Sequence, residues 1–336
     1  MTDSHGSGAA PSRGGHARNP VPQPCLIIIT GPTGVGKTDL AIRLAERFDA
    51  EIISADSMQV YRHLDIGTAK PSLEEQARVP HHLIDVVDPD EEFNAAMFVE
   101  QADAAIHSLH KRQKMVFVVG GTGLYLDALL GGLLKAPGAD GRLRDFYREE
   151  VVRHGKGYLY DRLKRIDPAA AGGIHPNDLV RTIRALEVME QTGQSIVDIQ
   201  GEHGFGTNAY DYIKIGLTID RYLLYDRING RVEKMMADGL VEEGERLLRM
   251  GYDESALPLQ SMTYRSVLSY IRGKQSRQDM VALIKRDTRH YARRQLTWFR
   301  RDPAIKWFAP QDENMISRAV ESRVLQPETQ DLKLKT

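Results

Sequence analysis

One octapeptide constrains the fold of this chain more than any other part of the sequence. Its residues are Gly31, Pro32, Thr33, Gly34, Val35, Gly36, Lys37 and Thr38. They fit the pattern G-x-x-x-x-G-K-[ST] at every position, after a short β-branched run and before a helical pattern with Leu40, Leu44 and Phe48 on one face. A strand, a glycine-rich turn and a helix in this order form a phosphate-binding loop, or P-loop. The sequence therefore predicts a site for a polyphosphate, although the motif alone does not say which reaction follows.

The residue types in the P-loop each have a chemical reason. Glycines such as Gly34 and Gly36 let the backbone wrap closely around an anion, toward which N–H groups and the positive end of the helix point. Lys37 can reach the terminal phosphate, and the Thr38 hydroxyl can bind Mg²⁺. We therefore expect residues 31–38 to bind the phosphates and Thr38 to be a metal ligand.

The rest of the chain alternates predicted strands and helices. A second strand is expected at 51–55, a helix at 95–112 and a third strand at 115–119. Strand character returns at 212–219 and once more near 305–308. Alternation of this kind predicts an α/β fold with a P-loop NTPase-like parallel sheet flanked by helices.

Changes in composition divide the chain into five segments. Residues 1–24 are rich in Gly, Ser, Pro and Ala without apolar periodicity, which predicts a flexible tail. The P-loop core would begin with residues 25–139 and continue in residues 208–310 after an interruption. The interruption at 140–207 has several helical stretches and no convincing strand, so we interpret it as a helical insertion. A polar tail is expected at 311–336.

The composition excludes several classes of protein. Cys25 is the only cysteine, which excludes a disulfide scaffold or a zinc cluster and is typical of a reducing, cytoplasmic compartment. The apolar run at 26–29 is far too short to span a bilayer, so we expect no membrane association. The formal net charge is −1, so any surface for nucleic acid must come from local segregation of charge. We expect a cytoplasmic monomer.

Charge is in fact segregated between residues 285 and 301. This stretch holds seven Lys or Arg residues and one Asp, a local charge of +6, interleaved with Tyr291, Trp298 and Phe299. Basic side chains beside aromatic ones suit phosphate contacts and base stacking, and so favour RNA. The alternative is a solvated helix whose Trp298 and Phe299 pack in the core.

The third predicted strand ends without the residue that an NTP hydrolase would need there. Such enzymes place an acidic residue after a later apolar strand, where it helps to hold Mg²⁺. Here residues 115–119 run into the turn Gly120, Gly121, Thr122 and Gly123, which contains no carboxylate. The turn either brings the backbone close to a substrate or is simply a tight connection from strand to helix.

Asp56 follows the second predicted strand. The carboxyl ends of strands are where ligands bind in open α/β sheets. Beside a bound polyphosphate this carboxylate could act as a general base, or its oxygens could cap the next turn. Spacing alone leaves both roles open.

Seven ordered segments resemble a known family. They are the P-loop, D-S-M-Q-V-Y at 56–61, D-I-G-T-A-K-P at 65–71, V-G-G-T-G-L-Y at 119–125, H-P-N-D at 175–178, R-A-L-E-V at 184–188 and R-Q-L-T-W-F-R at 294–300. In this order they resemble the tRNA dimethylallyltransferases, also called isopentenyl-tRNA transferases. The resemblance covers nearly everything between Ile27 and Phe308.

The resemblance implies a specific reaction. A dimethylallyl group would pass from dimethylallyl diphosphate to N6 of an adenine next to the anticodon (position 37 of the tRNA), giving N6-isopentenyladenosine with the help of Mg²⁺. By the same resemblance the P-loop would hold the diphosphate, and Asp56 would accept a proton from the adenine amine. Thr122 would lie beside the incoming nucleotide, and Arg221 would be an additional diphosphate-binding residue.

The resemblance and the basic stretch together imply a surface for the anticodon stem-loop of tRNA, to which the helical insertion at 140–207 would contribute. Its expected residues are Asp56, Ser57, Met58, Gln59, Thr122, Arg144, Arg181, Arg184, Gln260, Tyr264, Arg265, Arg293, Arg294, Gln295, Trp298 and Arg300. Because an adenine inside a stacked loop must be extruded before its amine can react, basic residues should surround the mouth of the site.

Two other functions use some of the same features. A small-molecule or nucleotide kinase would share the P-loop, with the insertion as a lid, and would consume ATP. An RNA-binding NTPase would use the P-loop and the basic stretch, but the missing acid after residue 119 counts against it.

Overall fold

The computed structural model describes residues 25–132, 136–155, 157–203 and 210–325. The flexible tail expected at 1–24 lies outside the described residues, as does the end of the chain from residue 326.

The strands form one parallel sheet, as the sequence predicts, with six strands where the sequence indicates five; the two-residue strand at 81–82 was not predicted. The strands are β1 (Cys25–Thr30), β2 (Ala50–Ser54), β3 (His81–His82), β4 (Met115–Gly120), β5 (Asp211–Leu217) and β6 (Ile305–Phe308). Their order across the sheet is β3-β2-β4-β1-β5-β6. The P-loop strand β1 is central, and its Ile28 pairs with Val118 of β4 on one side and Lys214 of β5 on the other.

Fourteen α-helices occur among the described residues. They are α1 (Lys37–Arg47), α2 (Leu73–Arg78), α3 (Ala95–Lys111), α4 (Gly123–Gly131), α5 (Gly141–His154), α6 (Tyr158–Ile166), α7 (Pro168–Gly172), α8 (Leu179–Thr192), α9 (Ile196–His203), α10 (Arg221–Ala237), α11 (Leu240–Arg249), α12 (Met262–Ile271), α13 (Arg277–Phe299) and α14 (Glu313–Leu325). A short 3₁₀ helix, Leu257–Gln260, precedes α12.

The sheet is buried on both faces because its strands are continuously apolar. Successive side chains of a strand point to opposite faces, so Ile28 packs in the layer with α3 and α4 while Ile27 and Ile29 pack in the layer with α1 and α10. With both faces covered, the carboxyl edge of the sheet remains as the place where the loops after the strands meet.

The helices α5 to α9 form the insertion between β4 and β5. They have an apolar cluster of their own, in which Tyr147, Leu159, Leu163 and Leu186 are fully buried. The structure thus has helices throughout the described part of 140–207, where the sequence indicates them.

The polar tail expected from residue 311 is wrong over 313–325, where the structure has helix α14. Ile316 and Val320 on this helix are fully buried against the layer that contains α1. Exposed ion pairs Arg43–Glu313 and Arg47–Glu321 join the same two helices. The prediction failed because a two-residue apolar stripe in a polar segment is too weak a signal for an amphipathic helix.

Within the described residues, no helix is both long enough and apolar enough to cross a bilayer.

Candidate active site

The loops after β1, β2 and β4 converge at the carboxyl edge of the sheet. The Thr30 hydroxyl donates a hydrogen bond to the Gly120 carbonyl at 3.0 Å, which ties the end of β1 to the end of β4. A cavity of about 980 Å³ opens there, lined by residues that include Lys37, Thr38 and Asp56. The sheet therefore brings the P-loop and the carboxylate after β2 into one site.

The P-loop wraps around the start of α1. Gly36 precedes the helix with φ of 102°, a left-handed conformation that side chains other than glycine rarely adopt. The first N–H groups of α1 have no acceptor within the helix and face the loop. The Lys37 ammonium donates to the carbonyls of Gly31 and Pro32, both at 3.0 Å. The site thus combines backbone donors with a lysine, the combination that binds phosphates.

The electrostatics of Lys37 are set by its surroundings. Burial lowers the pKa of Lys37 from 10.5 to about 8; the Asp56 carboxylate opposes this shift, and Arg231 reinforces it. A bound anion would favour the ammonium form. Near neutral pH Lys37 is therefore still mostly protonated, although its ammonium form is less favoured than that of a lysine in water.

Asp56 caps a turn and also faces the cavity. Its Oδ1 accepts hydrogen bonds from the Met58 amide at 2.9 Å and the Gln59 amide at 3.4 Å. Neither of these bonds engages Oδ2. Because Asp56 lines the cavity beside Lys37, the two roles that the sequence left open are compatible.

Thr122 joins the loop after β4 to the loop after β2. Its Oγ1 accepts a hydrogen bond from the Ser57 amide at 3.1 Å, and Thr122 stands just before α4. Ser57 and Met58 line a second cavity of about 280 Å³, which shares Asp56 with the first cavity. The glycine-rich turn is thus more than a connection, because it positions a segment of the cavity wall.

Tyr291 on α13 lines both cavities, a position that the sequence did not indicate. Burial and the nearby Asp56 carboxylate raise the pKa of Tyr291 to about 12, so its hydroxyl keeps its proton. Its place in the basic stretch was visible in the sequence, but its inward direction was not.

Arg221 is not placed as the resemblance implied. It is exposed at the start of α10, and its guanidinium lies over the Tyr225 ring. The cavity is lined instead by Arg227 and Arg231, one helical turn apart on α10. Arg221 precedes Arg227 by six residues, about 240° around the helix, so it projects from another side. The sequence signal that could have indicated Arg227 and Arg231 is a pair of arginines four residues apart in the helix that follows β5.

Arg231 contacts the P-loop directly. Its Nη1 donates to the Thr33 hydroxyl at 3.2 Å, and Arg227 donates to the Val35 carbonyl at 3.0 Å. Together with Lys37 they place three cations around the loop. This positive charge suits a polyphosphate that carries several negative charges.

Two of the residues expected to contact tRNA have buried side chains in the structure. Tyr264 is 0% exposed, and its hydroxyl donates to the buried carboxylate of Glu243 at 2.5 Å. Gln295 is 6% exposed, and its amide is bonded to backbone atoms of the site. Neither side chain can reach RNA in this conformation.

Glu243 holds the loop that follows the site at residues 65–71. Its two carboxylate oxygens accept the amides of Asp65, Ile66 and Gly67 at 2.9 to 3.0 Å. The same loop lines the cavity with Thr68 and other residues. The family resemblance implied an RNA contact for Tyr264, whose buried partner Glu243 is not visible in the sequence.

The arginines of the insertion differ in their availability. Arg144 and Arg184 both pair with the buried carboxylate of Glu187, at 2.9 and 2.6 Å. Burial favours the neutral acid, but the hydrogen bonds from both arginines and from the Asp140 amide hold the pKa of Glu187 below its usual range. Arg181, by contrast, is exposed. Arg144 and Arg184 therefore stabilise the insertion, whereas Arg181 is open to a ligand.

The outer face of α13 is basic. Arg293, Arg294 and Arg300 are exposed, as are Gln260 and Arg265 near the start of α12. Trp298 is 37% exposed, and its indole N–H donates to Asp127 at 3.0 Å, whereas Phe299 is buried. Residues 285–301 therefore combine features of both alternatives: Phe299 packs in the core, and the basic side chains of the outer face are exposed.

The site suits a hard cation bound together with a substrate. Among the described residues, no group of three or more His, Cys, Asp or Glu side chains could hold a metal. Thr38 and Asp56 both line the cavity and offer oxygen ligands. Mg²⁺ is commonly held by one or two protein oxygens plus substrate phosphates, so these residues fit it.

Comparisons with known proteins agree on one family. A model of the IPP transferase family matches residues 59–302. The chain is 54% identical over 298 residues to tRNA dimethylallyltransferase 2 of Syntrophus aciditrophicus (strain SB), covering 89% of this chain and 96% of that protein. It is 50% identical over 282 residues to the tRNA dimethylallyltransferase of Geobacter sulfurreducens, covering 84% and 91%.

Solved structures agree as well. The tRNA isopentenylpyrophosphate transferase from Bacillus halodurans matches with a TM-score of 0.68 and 39% identity, over 90% of this chain and 97% of that one. A eukaryotic dimethylallyltransferase acting on tRNA matches with a TM-score of 0.75 and 28% identity, over 90% and 80%.

Proposed function

The chain belongs to the IPP transferase family, and on this premise we propose that it transfers the dimethylallyl group of dimethylallyl diphosphate to N6 of an adenine next to the anticodon of tRNA. The observation that carries the proposal is that one cavity is lined by the P-loop, by Asp56 and by Arg231. It therefore offers donors for a diphosphate and an acceptor for a proton within the same space.

The donor diphosphate would bind to the P-loop amides, Lys37 and Arg231. When the allylic C–O bond breaks, its electron pair remains on the diphosphate oxygen, where negative charge develops. Fixed N–H donors and cations stabilise this charge without having to reorganise. Delocalisation over the allyl group lowers the barrier at carbon, so the protein's main task on this side is electrostatic.

Mg²⁺ would supply further positive charge at the leaving diphosphate, with the Thr38 hydroxyl as the protein ligand. We expect Thr38→Ala to raise the Mg²⁺ concentration needed for half-maximal activity.

The acceptor side depends on Asp56. As the adenine N6 forms its bond to the allylic carbon, it loses a proton, which the Asp56 carboxylate would accept. Oδ1 is held by the Met58 and Gln59 amides, so the carboxylate has a fixed orientation. Thr122 supports the same segment through Ser57 and would lie near the nucleotide.

The RNA would contact the exposed basic residues. Arg293 and Arg294 of α13 and Arg300 just after it suit phosphate contacts. Arg181, Gln260 and Arg265 would extend the surface. The partly exposed Trp298 would be available for stacking on a base. Because the cavity lies inside the sheet edge, the adenine would be extruded from the anticodon loop. We further propose that the protein acts as a monomer in the cytoplasm.

The test is incubation of the protein and Mg²⁺ with unmodified tRNA and either labelled dimethylallyl diphosphate or labelled ATP. We expect label from the diphosphate donor in the RNA, and we expect nuclease digestion to place it on one adenosine next to the anticodon. Formation of ADP without label transfer from the prenyl donor would instead support the kinase or NTPase alternative.

A further inference from the structure

Gln295 connects two loops of the site from a position inside the protein. Its side-chain Oε1 accepts a hydrogen bond from the Thr33 amide of the P-loop at 2.8 Å, and its Nε2 donates to the Gly121 carbonyl after β4 at 2.9 Å. The residue is only 6% exposed. One side-chain amide thus bridges the glycine-rich loops that follow the two neighbouring strands β1 and β4.

This bridge acts on Thr33, which stands between a proline and a glycine of the P-loop. Pro32 has no N–H, and Gly34 on the other side of Thr33 has a backbone free to adopt many conformations. The Thr33 main chain is fixed by Gln295, while the Thr33 hydroxyl accepts a hydrogen bond from Arg231 at 3.2 Å. Thr33 is therefore held from two helices, α13 and α10, before any ligand binds.

Resting on the proposed function, we propose that Gln295 is a positioning residue for the donor diphosphate. It holds the first half of the P-loop against the Gly121 turn in the conformation that receives the diphosphate, and it places Thr33 where Arg231 is oriented toward the anion. A loop already fixed in its binding conformation loses less entropy when the ligand binds, so the bridge should increase donor affinity.

Burial argues against an RNA contact for the same side chain. To reach RNA, the Gln295 amide would have to leave both partners, and the Thr33 N–H and Gly121 carbonyl would then lose their hydrogen bonds in a largely buried place. Leaving buried polar groups unpaired is unfavourable. The neighbouring Arg293 and Arg294 are exposed on the same helix, so RNA can bind α13 without using Gln295.

The test measures the affinity of the free full-length protein for inorganic pyrophosphate with Mg²⁺, by calorimetry in the absence of tRNA. Gln295→Met keeps the length of the side chain and removes both hydrogen bonds. We expect its Kd for pyrophosphate to rise about tenfold, the equivalent of one or two ordinary hydrogen bonds, while the Kd for tRNA stays within about twofold of wild type. In turnover, the KM for the prenyl donor should rise while the KM for tRNA does not.

A matched control separates positioning from a general loss of stability. Gln275 also donates its amide to a buried backbone carbonyl, that of Ser266 at 2.6 Å, and lies in the connection before α13. Gln275→Met should lower the melting temperature to a similar extent but leave the Kd for pyrophosphate unchanged. An equal loss of affinity in both variants would overturn the proposal.

A second variant perturbs the bridge from its other end. A Cβ at Gly121 would lie 2.2 Å from the Gln295 Nε2, so Gly121→Ala should displace the amide. If Gln295 acts through this contact, the double variant Gly121→Ala/Gln295→Met should bind pyrophosphate no more weakly than the weaker single variant. Additive losses, or unchanged pyrophosphate affinity in Gln295→Met, would contradict the inference. These measurements need no transfer to RNA, so failure of label transfer by the wild-type protein would contradict the proposed function alone.

Discussion

The hydroxyl of Tyr264 donates a hydrogen bond to the carboxylate of Glu243, and neither side chain is exposed to solvent. Because Glu243 also accepts three successive amides from the loop at 65–67, this pair fixes a wall of the active-site cavity from behind. Burial and the adjacent Glu243 carboxylate raise the pKa of Tyr264 well above its usual range, so the phenol remains a donor.

We expect Tyr264→Phe to lower the free energy of unfolding by about 1 to 3 kcal/mol, because a buried carboxylate loses a donor. The Kd for tRNA should be unchanged, in contrast to what the motif alone suggests. Urea denaturation and tRNA titration check the two parts. Tyr222→Phe is the control, since Tyr222 is 80% exposed and its variant should alter neither quantity.

The two roles of Asp56 can be separated by comparing two substitutions. Asp56→Asn keeps an oxygen that can cap the Met58 amide but cannot accept the adenine proton, whereas Asp56→Ala loses both functions. We expect both variants to lower the transfer rate by about 10²-fold or more, and only Asp56→Ala to lose stability in thermal melts. A normal rate for Asp56→Asn would show that Asp56 is a turn cap alone.

Arg231 and Arg221 lie on one helix but differ in their distance from the P-loop. We expect Arg231→Ala to raise the KM for the prenyl donor by about tenfold or more, since a charge-assisted contact to the diphosphate would be lost. Arg221→Ala should leave donor KM and the rate unchanged. Steady-state kinetics with saturating tRNA distinguish the two, and a larger effect at Arg221 would restore the assignment that the resemblance implied.

Lys37 should make donor binding dependent on pH in the alkaline range. Its pKa of about 8 in the free protein lies below the ordinary 10.5, whereas a bound diphosphate favours the charged form, so binding above pH 8 takes up a proton. The contribution of Lys37 to pyrophosphate affinity should therefore be constant below pH 8. Above pH 8 the affinity should fall by up to about tenfold per pH unit. Calorimetry between pH 7 and 9.5 measures the trend. Lys37→Ala corrects for ionisation of the ligand, and identical slopes in both proteins would exclude this role of Lys37.

The salt dependence of tRNA binding tests the basic face of α13. If Arg293 and Arg300 contact phosphates, replacing each by Ala should weaken binding and reduce the slope of log K against log salt by up to about one unit per contact. Arg47→Ala is the control, because Arg47 is an exposed arginine paired with Glu321 of α14. Unchanged slopes in the two α13 variants would move the RNA surface toward Arg181 in the insertion.

The sequence predicted the fold and the centre of the site where the signal is local. The P-loop motif, the apolar strand before it and Asp56 after β2 each occupy a short segment, and a parallel sheet brings such segments together at one edge. The sequence did not show that Tyr264 and Gln295 are buried, for the opposite reason. Whether a polar residue on a helix faces RNA or the interior depends on partners such as Glu243 and Thr33, which are remote in sequence. Arg231 was missed for the same reason, because its partner Thr33 lies 198 residues away.

The strand order also explains how this chain carries a large insertion. The strands β4 and β5 lie on either side of β1, so the chain leaves one neighbour of β1 and returns as the other, about 10 Å away across two strand spacings. Ordinarily a crossover connection of a dozen or so residues would bridge that gap. Helices α5 to α9 thus extend a single connection, and the insertion can change in length or be exchanged between related enzymes without any strand changing its neighbours. The connection and the strands that hold the site can therefore change independently of each other.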